Sequence, residues 1–177
     1  MTPFAYLSVL TSIVLAAGIT RLLTGVGKML QARKKIELDW VHLVWIMNVF
    51  LYMVLNWWIL FRWQAQPEWN YFLFLFVLLT PTICFLLTVL LFPNRIEECC
   101  DMRNYFAENR RWFFLLAATL TPIDAVNTLL RGMVHFIAQG PIYVIAIILI
   151  FVLCVTGAFT QNEKYHKFFS VFFSYIF

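Results

Sequence analysis

The chain has 177 residues, of which 63% are hydrophobic and 12% are charged, and its formal net charge is +4. Soluble domains are about half apolar and about one quarter charged, so this composition excludes an ordinary soluble domain and predicts a polytopic membrane protein. The positive charge does not predict nucleic-acid binding, because no basic surface interleaved with aromatic residues is left to carry it.

Six apolar segments predict an all-α bundle of six transmembrane helices in a single domain, 1–177. About 20 apolar residues are needed for a helix to cross the roughly 30 Å hydrocarbon core. The last segment is short for a crossing, and we interpret it as a shallow sixth span rather than a re-entrant segment. The predicted spans cover residues 4–30, 41–61, 71–92, 111–133, 142–159 and 163–177, and the polar segment 93–111 is predicted to be a cytoplasmic loop.

The distribution of lysine and arginine predicts the orientation in the membrane. Basic residues concentrate in cytoplasmic loops, and here all but Arg62 and Arg131 lie in or beside the loops of one side or in span one. The sequence therefore predicts an inner (plasma) membrane protein with both termini outside. The basic residues of the cytoplasmic side are Lys28, Arg33, Lys34, Lys35, Arg95, Arg103, Arg110, Arg111, Lys164 and Lys167.

A short internal similarity raises the hypothesis of two inverted three-helix halves. The sequence LLTG at 22–25 and the sequence LLRG at 129–132 each fall in the first span of a three-span unit. A three-span unit that repeats directly is inverted in the membrane, and inverted repeats are frequent in transporters. Chance similarity between leucine-rich helices is the alternative interpretation.

Span four carries a polar face within an apolar run. Residues at steps of three and four share a helix face, and polar groups within a span usually face protein or water rather than lipid. Pro122 removes one backbone donor in this helix and predicts a kink, as Pro81 does in span three. The sequence thus predicts an intramembrane polar site around Asp124, which also includes Thr121, Asn127, Thr128 and Arg131.

Other spans contribute candidates to the same site. Asn48, Tyr52 and Asn56 lie on one face of span two, and Arg21 lies in span one. Asparagine and threonine can either line an aqueous path or join helices through hydrogen bonds of about 0.6 kcal/mol each. Arg21 either snorkels to the interface or pairs with Asp124. Asp124 itself is either neutral in a dry bundle or ionised beside Arg21 or Arg131.

The chain offers few groups for a cofactor. His42 and His166 lie at a similar depth and are candidate haem ligands, but interface-anchored histidines are commoner and we do not expect haem b. Adjacent Cys99 and Cys100 lack the second ligand pair of a zinc site, so no metal is predicted. We expect bound lipid, and as partners membrane lipids, further copies of the chain or other membrane subunits, but no nucleic acid.

Four segments resemble sequences of small uncharacterised bacterial multi-pass integral membrane proteins. These segments are GITRLLTGVGKMLQARKK, WVHLVW, LLFP and RRWFF, spread over most of the chain. The resemblance implies the same class of protein and carries no activity and no functional residue.

Two functional hypotheses follow from these features. The first is a small transporter or channel-like protein with a polar path around Asp124, which explains an acid inside the membrane. The alternative is a non-catalytic accessory or assembly subunit, in which the 19 phenylalanines and seven tryptophans pack against partner helices and lipid. An enzyme is the least supported class, because no Ser-His-Asp set, P-loop, HExxH or CxxC motif is present.

Overall fold

The computed structural model describes residues 2–66, 68–93, 96 and 101–176. Within them the protein is all-α, as predicted, and has no strand beyond an isolated bridge between Glu37 and Asp101. Pro67, Arg95 and the Cys99–Cys100 pair lie outside the described residues. The α-helices are α1 (Pro3–Ala32), α2 (Trp40–Ile59), α3 (Tyr71–Leu91), α4 (Met102–Leu130), α5 (Met133–Ala138), α6 (Gly140–Phe159) and α7 (Glu163–Ile176), and a 3-10 helix (Leu60–Ala65) continues α2.

Five helices in the described part of the chain are long and apolar enough to cross a membrane. They are α1, α2 with its 3-10 extension, α3, α4 and α6. The remaining long segment, α7, has 14 residues and measures about 21 Å, which is less than the roughly 30 Å of a hydrocarbon core. The predicted count of six spans is therefore not confirmed.

Helix α4 begins nine residues before the predicted start of span four. The side chain of Asp101 accepts hydrogen bonds from the backbone N–H groups two and three residues later, at 2.8 and 3.1 Å, and so caps the helix. The second half of the predicted loop 93–111 is consequently helical. At the other end, Gly132 and Gly140 bracket α5 with positive φ angles of 123° and 74°, a conformation that favours glycine.

The two segments of the proposed internal repeat occupy different environments. Gly25 is buried inside α1, where an added Cβ would lie 2.6 Å from the ring of Phe92. Gly132 lies in the turn after α4, and an added Cβ there would meet nothing within 4 Å. The hypothesis of inverted halves is not confirmed.

The bundle has two ends, the basic end and the Trp63 end. At the basic end, α1 ends before Lys34 and α2 begins after it. An ion pair between Arg103 and Glu163 joins α4 to α7 at the same end. The opposite end is the Trp63 end, where the Arg131 guanidinium carbon lies 5.8 Å from the centre of the Trp63 ring. The predicted orientation would make the basic end cytoplasmic.

An aromatic layer forms the centre of the core. The Trp45 ring lies 5.1 to 5.5 Å, centre to centre, from four phenylalanine rings of α4 and α7, most of them edge-on. Edge-to-face contacts match the positive ring edge to the negative ring face, which stabilises such pairs beyond their buried area. The layer consists of Trp45, Phe113, Phe114, Phe169 and Phe173.

Asn48 attaches α7 to α2 beside this layer. Its Nδ2 donates to the carbonyl of Ser170 at 3.0 Å, and Ser174 Oγ donates to Asn48 Oδ1 at 2.7 Å. Asn48 is fully buried, so these bonds replace the water that its amide loses on folding. Because α7 is short, it occupies the space beside α2 only in the half of the bundle nearer the basic end.

Candidate functional site

A cavity of about 310 Å³ lies between α2, α3, α4 and α6 and extends to the Trp63 end. Its wall is mostly apolar. Seven of the nine predicted polar residues line it, whereas Thr128 lies directly behind the wall and Arg21 lies elsewhere. The seven are Asn48, Tyr52, Asn56, Thr121, Asp124, Asn127 and Arg131.

Polar residues of α2 and α4 form two stripes that line the same cavity. On α2 the polar residues recur at steps of four, and on α4 they recur at steps of three and four, so each set forms one stripe. α4 packs closely against α6, whereas α2 and α6 face each other with at most isolated backbone approaches. The space between α2 and α6 stays open beyond the C-terminal end of α7.

Asp124 is held by a tyrosine from α6. Tyr143 Oη donates to Asp124 Oδ2 at 2.8 Å, and it also lies 2.8 Å from Thr128 Oγ1. Thr128 Oγ1 donates in turn to the Asp124 backbone carbonyl at 2.9 Å. These bonds connect α4 to α6 and fix the carboxyl group on the cavity wall. Sequence reasoning missed Tyr143, since a tyrosine near the end of an apolar helix is typical of an interfacial belt.

Pro122 leaves one backbone carbonyl of α4 without its usual donor, and a side chain on the cavity wall donates to it instead. A proline cannot donate to the carbonyl four residues earlier, which here is that of Ala118. Thr121 Oγ1 donates to this same carbonyl at 2.8 Å, so the freed acceptor has a partner. The helix continues through the proline, and Thr121 remains at the cavity beside Asp124.

Arg131 lies at the mouth of the cavity. It follows α4 directly, and its Nε donates to the Asn127 carbonyl at 3.3 Å. Burial lowers the pKa of the Arg131 guanidinium, and the positive charge of Arg62 lowers it further. In the part of the chain that the structure describes, no ion pair joins Arg131 to Asp124.

Arg21 is not part of this site. The α1 residue that lines the cavity is Thr11, and Arg21 lies ten residues further along, or about 15 Å towards the basic end. The structure therefore does not bring Arg21 to the carboxyl group of Asp124, and of the two arginines considered as its partner only Arg131 is near.

Four polar atoms of the cavity-lining residues are shielded from solvent and have no hydrogen-bond partner among the described residues. They belong to α1, α2 and the C-terminal part of α4 with its C-cap, and buried polar atoms are normally paired with protein or water. A ligand would bond to these atoms only if the side chains around them moved, because none of the four atoms is exposed to solvent. The atoms are Thr11 Oγ1, Trp45 Nε1, Asn127 Oδ1 and Arg131 Nη1.

The aromatic layer closes the cavity towards the basic end. Trp45, Phe113 and Phe173 line its floor, and the Trp45 and Phe113 side chains are almost completely buried. At the other end the lining reaches Trp63 and Arg131. The cavity is therefore accessible from one end of the bundle and closed at the other.

The two candidate haem ligands, His42 and His166, each form a hydrogen bond with a different backbone carbonyl. His42 Nε2 lies 2.8 Å from the Leu91 carbonyl, and His166 Nε2 lies 3.1 Å from the Thr160 carbonyl. A carbonyl accepts only, so each Nε2 carries its proton and donates. Among the described residues no three His, Cys, Asp or Glu side chains form a group that could hold a metal ion.

Comparisons with protein-family models, with curated proteins and with solved structures found no match to this chain. The resemblance to small bacterial multi-pass proteins stays a prediction.

Proposed function

We propose that the protein is a small integral membrane transporter that binds its ligand in the cavity around Asp124. One observation supports this most: the cavity gathers seven polar residues from α2 and α4 within a mostly apolar wall. The closed aromatic floor favours a carrier, which exposes its site to one side at a time, over a channel with a continuous path. The site lies between helices, where bundle proteins commonly bind ligands.

The proposal extends to the placement of the protein in the cell. Positive-inside charge supports an inner membrane protein whose basic end is cytoplasmic and whose termini are outside. Under this orientation the cavity opens to the outside. We also propose that the protein works as a homo-oligomer and that it is related to the small bacterial multi-pass proteins that it resembles.

Asp124 is the residue we propose to change state during transport. A carboxyl group in a cavity can be ionised beside a donor and a cation, or neutral in a dry site. Tyr143 supplies the donor and Arg131 the nearby cation, so a ligand or a conformational change that alters either contact would shift the balance. Asp124→Asn keeps the shape of the side chain and replaces the carboxyl group by a neutral amide.

The experiment measures proton and ion flux into liposomes with a pH-sensitive dye and with imposed potassium and sodium gradients. We expect Asp124→Asn to abolish flux while the protein stays folded, with a melting temperature lowered by about 3 to 6 °C, because the change keeps the shape of the side chain but weakens the hydrogen bond from Tyr143 by about 1.4 kcal/mol. The control is Glu108→Gln, an equal charge change at an exposed position of α4 outside the cavity. Undiminished flux in Asp124→Asn would remove the acid from the mechanism.

The second candidate, a non-catalytic accessory or assembly subunit, is favoured by the exposure of α6. This helix is the least buried of the five candidate spans, and Ile142, Ile145 and Ile148 point away from the protein core. Lipid or a partner helix would cover this face. Constant co-purification of a larger complex, which a double substitution of Ile145 and Ile148 by polar residues disrupts, would favour the subunit over the transporter.

A further inference from the structure

We propose that the cavity binds an anionic phospholipid, whose phosphate lies between Arg62 and Arg131 and of which one acyl chain occupies the apolar cavity. This inference rests on the proposed function only in taking the cavity as the ligand site. It adds the chemical class of the ligand and the part of the site that recognises each half of it.

A second cavity, lined partly by arginine side chains, adjoins the first at the Trp63 end and is called the cationic mouth here. It has a volume of about 470 Å³ and is lined by Arg62, Arg131, His135 and Gln139. Arg131 lines both cavities, so its guanidinium group stands between a polar compartment and an apolar one. Two arginines that converge on one space match the geometry of a phosphate group, since each offers a planar fork of donors.

The charges around the mouth leave a positive excess. Among the described residues, the charged groups that act on Arg131 include the Arg62 guanidinium and the Asp124 carboxylate, one oxygen of which already accepts from Tyr143. No described acidic side chain forms an ion pair with Arg62 or Arg131, and Arg131 Nη1 is shielded without a partner. Two arginine side chains and one carboxylate leave one positive charge unbalanced. The single negative charge of a phosphodiester would balance it.

The dimensions of the apolar cavity suit one chain. Along α4 its lining extends from Arg131 to Phe113, 18 residues or about 27 Å of helix. This length exceeds the depth of one leaflet of hydrocarbon, about 15 Å, so the cavity is long enough for one acyl chain. Its volume of about 310 Å³ is at the lower limit of ordinary ligand pockets, roughly 300 to 1,000 Å³. A second acyl chain would therefore remain in the bilayer.

A route for that arrangement exists between α2 and α6. These helices face each other across the cavity without extensive packing, and α7 covers the gap only towards the basic end. In the proposed arrangement, a lipid in the leaflet at the Trp63 end would have its phosphate at the level of Arg62 and Arg131 and its chains at the level of the cavity. One chain can then enter sideways while the headgroup stays at the interface.

The first experiment measures lipid affinity for the purified full chain in detergent, by titration followed with tryptophan fluorescence. The probes are phosphatidylglycerol, phosphatidylcholine and inorganic phosphate. We expect tight binding of phosphatidylglycerol, and Arg62→Gln and Arg131→Gln should each weaken it about tenfold or more, since each removes hydrogen bonds to a charged group. Arg33→Gln, the same charge change at an exposed position of the basic end, should leave the affinity unchanged.

A second pair of variants tests the acyl-chain half of the site. Ala146 lines the cavity, so Ala146→Leu should fill part of it and weaken phosphatidylglycerol binding. Ala17→Leu adds the same side chain on the exposed face of α1 and should have no effect. Equal affinity for phosphatidylcholine and phosphatidylglycerol, or full affinity in both arginine variants, would overturn the headgroup assignment.

Two outcomes separate this inference from the proposed transport. Inorganic phosphate that binds as tightly as phosphatidylglycerol, or full affinity in Ala146→Leu, would show that no chain enters the cavity and would overturn the lipid site even if flux depends on Asp124. Arginine-dependent binding of phosphatidylglycerol, sensitive to Ala146→Leu, would support the lipid site even if Asp124→Asn leaves flux intact.

Discussion

Replacing Tyr143 by phenylalanine tests whether the acid on the cavity wall is a charged acceptor. The substitution removes one hydroxyl group, which donates to Asp124 Oδ2 at 2.8 Å and lies 2.8 Å from Thr128 Oγ1. The ring stays, so its packing against Phe136 is retained. The loss of stability therefore reports the hydrogen bonds alone.

The size of the loss depends on the charge of Asp124. Hydrogen bonds between membrane helices contribute about 0.6 kcal/mol on average, whereas a hydrogen bond to a charged group contributes about 1.5 to 3 kcal/mol. We expect Tyr143→Phe to cost about 2 kcal/mol in the natural chain, because the Asp124 carboxyl group lies on a cavity wall near Arg131. In an Asp124→Asn background the same change should cost about 0.6 kcal/mol.

The assay is a double-mutant cycle, in which the unaltered protein, Tyr143→Phe, Asp124→Asn and the double variant are unfolded with denaturant in detergent. Tyr175→Phe is the control for loss of a hydroxyl group at an exposed position of α7. The cycle isolates the Tyr143–Asp124 term because each single change is close to isosteric. Equal costs of Tyr143→Phe in both backgrounds would refute an ionised Asp124, and no cost in either would refute the hydrogen bond itself.

Two further predictions concern the core. Trp45→Ala should lower the free energy of unfolding by about 3 to 5 kcal/mol, the usual effect of removing a buried large aromatic side chain; thermal unfolding checks this, and the same change at exposed Trp58 should be nearly neutral. Asn48→Ala should cost about 1 kcal/mol, since it removes two hydrogen bonds between helices at about 0.6 kcal/mol each. It should also make α7 more sensitive to added protease, and unchanged proteolysis would contradict the attachment of α7 by Asn48.

The helical part of the fold was largely predictable. Continuous apolar runs near 20 residues give spans almost regardless of context, and α1, α2, α3 and α6 follow the predicted segments closely. The start of α4 was not predicted, because the polar composition of its first turns resembles a loop. The capping carboxyl group of Asp101 and its two backbone donors determine that start, and a cap is a local signal that hydropathy does not contain.

The candidate site was predictable only within each helix. Helical spacing placed the polar stripes of α2 and α4 correctly on single faces, and the structure turns both stripes to one cavity. Spacing says nothing about which helices face each other, so Tyr143 of α6 was missed. Arg21 was included for its charge, although counting residues along α1 places it about 15 Å from the level of Thr11, which lines the cavity.

The most direct test of a cavity open at one end only is the labelling of cysteines with a membrane-impermeant thiol reagent in sealed liposomes. The four native cysteines are first replaced, and Glu68→Cys and Glu108→Cys, which we predict to lie on opposite sides, report the two sides of the membrane. Asn127→Cys, on the cavity wall near its mouth, should react from the side that labels Glu68→Cys and not from the side that labels Glu108→Cys. Reaction of Asn127→Cys from the Glu108 side, or from neither side, would contradict a cavity that opens at the Trp63 end and is closed by the aromatic layer.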